Sequence, residues 1–487
     1  MELFNLLTET GIPVFGNTYD VSLNFIGNLI RLLCGAVGVV GVGIILFSLI
    51  LKLVTLPFDI YQRISMRKQN LQMEANKEKM EKLQKQYAND KEKYNQKVME
   101  MYRENGISMF SSCLPMILSL VIFIVAINAF NAFAQYSNIN NYNTMVKAYN
   151  AELSTYCAVL TEENAEDSLT VEEITQDEQG NPLDKTFIVY TVKNEGKHLY
   201  FKARAELAQG ATEPTTSEVV AYVNAYANKE YFIDVESVKT DEVIMSAIQS
   251  NLDAGETAES AIYTYFVTRA QDAVVVAYEE EVEPNTGFGW IKNIWATDAS
   301  YKHPVLGFAD FKAEADREKF EVNGKEVSYS GISAYTNAYS EENYELVTAK
   351  LDSQKEAANG YFILIALSIG TILLQQFVAQ RSQKAQNQYS SVDGQAASQQ
   401  KMTMVIMTGM FAIFSFMYSS AFSIYMITSN LFSLFSTLII NKIVDVKTAK
   451  KEEVKELKRY ENHAAERIEK AKNQGKASAE ETKKKKE

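Results

Sequence analysis

Gly41-Val-Gly-Ile-Ile-Leu-Phe-Ser-Leu-Ile-Leu-Lys-Leu-Val-Thr-Leu-Pro57 closes an apolar run that begins near Leu32. The run is long enough to cross a bilayer, which takes about 20 residues as a helix. Lys52 sits inside it, between Leu51 and Leu53. An ammonium among lipid-facing leucines costs roughly 3 kcal/mol on insertion scales. Two readings of this lysine stand side by side. It faces a wet cavity or a partner, as intramembrane charges usually do. Alternatively, it lies within a turn of the cytoplasmic end and snorkels to the headgroups.

Three more apolar blocks follow, at 109–134, 360–379 and 402–440. The last holds two short spans that turn at Ser419-Ser420, so the chain reads as five spans. With 487 residues it is too long for one ordinary domain. The net charge of −13 is a sum of opposites. Residues 59–108 carry 11 Lys and Arg, and the tail from Lys442 carries 15. The stretch 135–358 holds 39 Asp and Glu against 17 Lys and Arg. By the positive-inside rule the basic segments are cytoplasmic and the acidic stretch is outside. Arg381, Lys384 and Lys401 put the short 381–401 loop inside as well. The N-terminus is then outside and the C-terminus inside.

The expected fold is an all-α polytopic membrane core of five transmembrane helices, with a cytoplasmic helical hairpin and an inserted extracellular α+β domain. Residues 1–34 form an extracellular N-terminus, a loop over 1–18 followed by an amphipathic interfacial helix. Leu23, Ile26, Ile30 and Leu33 recur along that helix at helical spacing. The first span covers 35–58 and leaves the bilayer at Pro57. The basic hairpin covers 59–108, with Asn89 and Glu92 placed as a capping box for its second helix. The second span is 109–134. The extracellular region is 135–358, with the inserted domain at about 150–283. Strands at 186–193 and 198–202 pair across Asn194-Glu195-Gly196, and helices lie at 217–228 and 241–252. Residues 306–357 return to helical composition. The aromatic segment Gly287–Trp295 reads as an interfacial anchor. The third span is 359–380, a loop follows at 381–401, the fourth and fifth spans fill 402–441, and a basic tail covers 442–487.

Cys34, Cys113 and Cys157 make no disulfide framework. His198, His303 and His463 are too scattered for a metal site. No nucleophile, metal cluster or phosphate loop is visible, so the chain reads as no enzyme and needs no cofactor.

Four segments, in this order, resemble the YidC family of membrane protein insertases. Lys52-Leu-Val-Thr-Leu-Pro57 is similar to the end of the family's first span, an Arg followed five residues later by Pro. Ser65-Met-Arg-Lys68 through Leu83-Gln-Lys-Gln-Tyr87, Met99–Gly106 and Cys113-Leu-Pro115 resemble its basic hairpin and the entry to its second span. Trp290–Trp295, Asp298 and Pro304 resemble the segment ahead of its third span. Tyr425-Met-Ile-Thr-Ser-Asn430 resembles the end of its last span. Three positions depart from the pattern. Lys52 stands for the family's groove arginine and Met426 for its tryptophan. Ser420-Ala421-Phe422 stands for its usual Pro-Ala-Gly.

The resemblance implies an insertase of a bacterial plasma membrane, working through a hydrated groove open to cytoplasm and lipid. Lys52, Thr55, Gln375, Gln376, Tyr425 and Met426 are the expected groove and client-binding residues. The Met-rich last spans could offer a client helix a sliding surface. The implied partners are nascent membrane proteins, the Sec translocon and the ribosome through the basic tail. Charge adds anionic lipids, and no specific nucleic-acid sequence is expected. The alternatives are a small-solute transporter or channel, and a membrane-anchored extracellular receptor. A transporter predicts repeated spans with several facing ionisable groups, and only Lys52 is clearly of that kind here.

Overall fold

The computed structural model describes residues 11–15, 18–75, 77–104, 110–156, 169–176, 180–194, 199–206, 230–322, 325–329, 338–382 and 395–447. The expected helix at 217–228 and most of the tail lie outside the described residues. Along the chain come β1 (Ile12–Val14), β2 (Asp20–Val21), α1 (Phe25–Val37), α2 (Val40–Ala75), α3 (Lys77–Gln86), α4 (Lys91–Glu104) and α5 (Phe110–Tyr156). Then follow β3 (Leu169–Gln176), β4 (Pro182–Asn194), β5 (Leu199–Glu206), β6 (Glu230–Ile233) and α6 (Ala258–Ala277). The chain continues with α7 (Phe308–Ala315), β7 (Lys319–Val322), β8 (Lys325–Ser328), α8 (Ile363–Ser382) and α9 (Gln395–Met417). The last described helix is α10, Ser420–Lys447. Short helical turns fill 235–253, 283–286 and 341–356.

Among the described residues, four stretches are long and apolar enough to cross a membrane: Val40–Lys68, Val121–Thr155, Ile363–Ser382 and Ser420–Lys447. The apolar part of α9, Met404–Met417, is shorter. The chain is therefore a multi-pass helical membrane protein that also carries sheet.

The chain divides into two compact units. The first holds residues 1–47, 125–366 and 413–425, and the second 48–124, 367–412 and 426–487. In the first unit, α5 does not stop where its apolar sequence stops at 134. At 47 residues it is about 70 Å long, more than twice the ~30 Å hydrocarbon core. Its C-terminal part carries Ile139, Tyr142, Val146, Tyr149 and Leu153, all buried. They recur every three or four residues and so form one stripe. That stripe packs with Ile262, Phe266, Ala270 and Val274 of α6, with Phe311 and Phe320, and with Tyr339 and Tyr344. A span helix is thus also the spine of a soluble-type core.

The first unit contains two antiparallel sheets, in the orders β1-β6-β5-β4-β3 and β2-β7-β8. Strands β4 and β5 pair from Asn194↔Leu199 to Phe187↔Glu206. Two expectations are corrected here. The 1–18 loop contains β1, which pairs with β6 and places Pro13 opposite Phe232. A three-residue strand with a central proline gives little sequence signal, and proline is tolerated because β1 is an edge strand. Likewise 306–357 is not uniformly helical, since β7 and β8 form a hairpin whose outer neighbour is β2.

The start of the first span also differs from expectation. Asn24 caps α1 by accepting the Gly27 amide at 2.8 Å. Gly38, with φ of 72°, ends α1 in the left-handed region. The membrane helix therefore starts at Val40 rather than near 35. Gly43 lies so close to Cys34 that a Cβ would come within 2.7 Å of its Cα. Helix α1 leaves Phe25 and Leu32 exposed, at 82% and 66%, and buries Ile30.

Residues 287–301 form a polar knot in the first unit. Asp298 is completely buried. Its carboxylate accepts from the amides of Tyr361 (2.7 Å), Phe362 (3.2 Å) and Leu364 (2.6 Å), at the N-terminus of α8. Asn359 donates its side-chain amide to the carbonyls of Asn293 and Thr297, both at 2.9 Å. The turn between α9 and α10 is held by the same segment. Ser420 N donates to Ala296 O at 2.8 Å, Ala421 N to Ile294 O at 2.9 Å, and the Thr297 hydroxyl to Tyr418 O at 3.0 Å. Trp295 is buried against Phe133 at 4.6 Å between ring centroids. The aromatic segment therefore fastens helix ends, and Trp290 is the tryptophan left exposed.

Two carboxylates in this unit are poised to titrate. Burial raises Glu314 to about 7, against the opposing hydrogen bonds from Asn138. Burial also raises Glu318 to about 7. Each folded-state value lies above the unfolded one, so the folded state holds the protons between about pH 4.5 and 7. The unit is expected to be most stable at the acid end of that window and to weaken as pH rises through it. For Glu314 the loss is up to about 3 kcal/mol. The thermal midpoint should fall between pH 5 and 8, and fall less in Glu314→Gln.

Candidate functional site

In the second unit α2, α8, α9 and α10 face their hydrocarbon outward. Ile50, Leu53, Val54 and Phe58 of α2 are exposed, as are Leu373, Leu374 and Phe377 of α8. Val405 and Ile406 of α9, and Phe435, Leu438, Ile439 and Ile443 of α10, are exposed too. The polar groups are inside. Along α2 run Ser48, Lys52, Thr55, Asp59 and Arg63, spaced by four, three, four and four residues. That spacing puts all five on one face. Ser48, Thr55 and Asp59 are buried, and Lys52 and Arg63 half-buried. Ser368, Thr371 and Gln375 form a similar row on α8, and Ser429, Ser433 and Thr437 on α10, with Asn430 beside them. A polar interior under an apolar exterior inverts the soluble pattern.

Individual contacts define this interior. The Thr55 hydroxyl donates to the Lys52 carbonyl at 3.1 Å. Asp59 acts electrostatically on both Lys52 and Arg63. The Nε of Arg63 and the hydroxyl of Ser429 are buried without a hydrogen-bond partner. Thr408 of α9 donates to the Gln376 amide oxygen at 2.9 Å. Asn430 reaches the Thr371 hydroxyl at 3.5 Å. Gln375 is half-buried and Met426 buried in the same unit. Tyr425 belongs to the first unit, where its ring lies 5.5 Å from Phe130 and 6.2 Å from Phe422.

Asp59 and Arg63 were not among the expected site residues. The expectation ended the span at Pro57, whereas α2 runs through Pro57 to Ala75. Proline removes one amide donor and bends a helix without always ending it. Continuing the three-and-four spacing of Ser48, Lys52 and Thr55 past the proline would have reached both residues.

At the other end of the stripe, Arg67 anchors three helices. Its Nε and a terminal nitrogen donate to Asp445 of α10 at 2.7 and 2.9 Å, and its other terminal nitrogen to Ser382 O of α8 at 3.2 Å. The fork is bidentate, with Asp445 44% exposed. The coupling of Arg67 and Asp445 in a double-mutant cycle is expected at about 1–2 kcal/mol, measured by thermal unfolding. Arg67→Lys should keep less than half of it, since lysine lacks the fork.

The sequence profile of the 60Kd inner membrane protein family matches residues 32–177 and 326–449, more than half of the chain. The chain belongs to this family, the YidC family. The matched segments contain α2, the α3–α4 region, α8, α9 and α10. The gap at 178–325 contains β4, β5, β6 and α6, as well as the knot. Among curated relatives, the membrane protein insertase YidC of Caldanaerobacter subterraneus subsp. tengcongensis is 37% identical over 98 residues. That alignment covers 20% of this chain and 46% of the relative. The YidC of Fusobacterium nucleatum is 33% identical over 104 residues, 21% and 49% of the two chains. The YidC of Clostridium tetani is 40% identical over 85 residues, 17% and 36%. The chain thus spans about half the length, or less, of the curated relatives it matches. No solved structure matches it.

Proposed function

We propose that this chain is a membrane protein insertase that assists insertion and folding of nascent membrane proteins. The observation that carries the reading is the polar stripe Ser48–Lys52–Thr55–Asp59–Arg63 inside an otherwise apolar helix. Five spans, with α9 as the short fourth, would enclose a hydrated groove open to cytoplasm and lipid. The N-terminus is outside and the C-terminus in the cytoplasm of a bacterial cell. Helices α3 and α4 form a basic cytoplasmic hairpin that meets anionic headgroups, at about 1 kcal/mol per basic residue near the surface. The first span starts at Val40 in this reading, and the inserted extracellular domain lies at about 150–283.

In this reading Lys52 attracts acidic residues of a client's outgoing segment. Thr55, Gln375 and Gln376 keep its path wet, and Tyr425 and Met426 contact the client's apolar helix. The driving force is burial of that helix in lipid, about 25 cal/mol per Å² of apolar area. The protein lowers the barrier for the polar tail and forms no covalent bond. The Sec translocon and the ribosome, the latter through the basic tail, complete the set of partners.

Site-specific photocrosslinking tests the reading. A crosslinker at Thr55 or Gln375 should form an adduct with a ribosome-stalled nascent membrane protein, and one at exposed Phe435 should not. Equal yields at all three positions would refute the groove.

A further inference from the structure

The first unit contains a polar cavity of about 420 Å³, within the usual range of ligand pockets, about 300–1,000 Å³. Its lining includes Asn131, Gln135 and Asn138 of α5, Thr297 of the knot, Ser419 of the α9–α10 turn, and Glu314 of α7. The three amides are four and three residues apart, so they stand in one row. Asn138 Oδ1 already accepts from Asn293 Nδ2 at 3.2 Å, which leaves Asn131 and Gln135 open to a ligand. From Asn131 to Gln135 the row is about 6 Å long, which matches about two residues of extended chain. The Ser419 hydroxyl is buried with no hydrogen-bond partner, in a residue only 7% exposed. At the end of the row, both oxygens of Glu314 accept from Asn138 Nδ2, at 3.2 and 2.9 Å. The wall also carries Lys302, Asp310 and Arg317. Lys302 pairs with Asp310 at 3.3 Å, and Arg317 is exposed.

We infer that this cavity binds the free amino terminus of a polypeptide, with the Glu314 carboxylate holding the ammonium and Asn131 and Gln135 pairing with the first peptide groups. Side-chain amides offer both a donor and an acceptor, as each peptide unit requires. The buried hydroxyl of Ser419 gains the partner it lacks. A carboxylate at one end of a neutral amide row fits a chain that begins with a positive charge. The inference rests on the insertase reading, which delivers client segments to the outer side.

Acid–base behaviour follows from the groups around Glu314. Asp310 and Glu318 on its own segment oppose its ionisation and Arg317 favours it, while Lys302 and Tyr344 face it from other elements. Ammonium binding requires the ionised carboxylate, so affinity should be greater near pH 8 than near pH 5.5.

The test uses the full chain in phosphatidylglycerol nanodiscs and trialanine as the probe, with its amino terminus free or acetylated. Calorimetry near pH 8 should show the free form binding at least about ten-fold more tightly. Glu314→Gln should erase that preference while unfolding at or above the wild-type temperature. Ser419→Ala should weaken both forms by a few-fold. Equal binding of the two forms, no binding, or a preference surviving in Glu314→Gln overturns the inference. So does displacement of trialanine by phosphatidylethanolamine headgroups at equal concentration, which would make this a lipid site. The assay needs no insertion activity. Normal trialanine binding by a protein that inserts nothing would overturn the insertase reading alone.

Discussion

Lys52→Glu is expected to reduce insertion of a client with an acidic outgoing segment by at least about ten-fold, while Lys52→Arg stays near wild type. At an effective dielectric of about 20, a charge about 8 Å away contributes roughly 2 kcal/mol. Reversing Lys52 turns that attraction into repulsion. It also leaves two carboxylates, at positions 52 and 59, on one face of α2. Asp59→Asn should act in the opposite direction and favour acidic segments, because it removes the negative charge between Lys52 and Arg63. Protease protection of a reporter with acidic or neutral tails, in cells depleted of their own insertase, measures all three. The neutral-tailed reporter should respond least. If Lys52→Glu inserts the acidic reporter normally at equal expression, Lys52 is a snorkelling anchor and not a groove charge.

Asp298→Ala should destabilise the protein by about 3–5 kcal/mol, the largest single effect expected outside the membrane core. The substitution orphans the amides of Tyr361 and Leu364, while Phe362 N keeps the backbone carbonyl of residue 298 at 3.1 Å. Each buried unpaired amide costs about 1–3 kcal/mol, and the two are not strictly additive. It also removes an anion from the N-terminus of α8, where a negative charge is favoured. Asp298→Asn keeps an acceptor oxygen and should lose less. Gly360→Ala should approach the alanine variant at 298, because its Cβ would fall 2.0 Å from Asp298 Oδ1. Thermal unfolding in detergent ranks the three variants, and hydrogen exchange at 361–364 should rise first in Asp298→Ala. A midpoint within a degree of wild type for Asp298→Ala would show that the knot does not hold α8.

The membrane character, the family and the presence of a charge at Lys52 were legible because each is a local property. An apolar run announces itself in the sequence, and a lysine inside it is conspicuous. The β4–β5 pair was legible too, since its alternation and turn residues are contiguous. Helix ends were harder to read. The α1–α2 break depends on Gly38 taking a positive φ, and Gly35, three residues earlier, offers the same residue type. The extension of α5 to Tyr156 hides in polar sequence, because its buried stripe is aromatic and mixed with Asn138 and Asn143. Strands β1 and β7–β8 were missed because their partners, β6 and β2, lie far away in sequence.

The sequence by itself determined that this is a helical multi-pass protein of the YidC type, with an acidic insertion and a charge in its first apolar run. Hydropathy, net charge and ordered motifs need no long-range contact to be read. Only the tertiary structure decided that Lys52 is one member of a stripe that passes Pro57 to Asp59 and Arg63. Whether a helix continues past a proline depends on what packs around it, which the local sequence does not record. The structure likewise decided that Arg67 joins α2 to α8 and α10, and that Asp298 caps α8. Those bonds unite residues 63 to 378 positions apart, a pairing that chain-local propensity cannot encode.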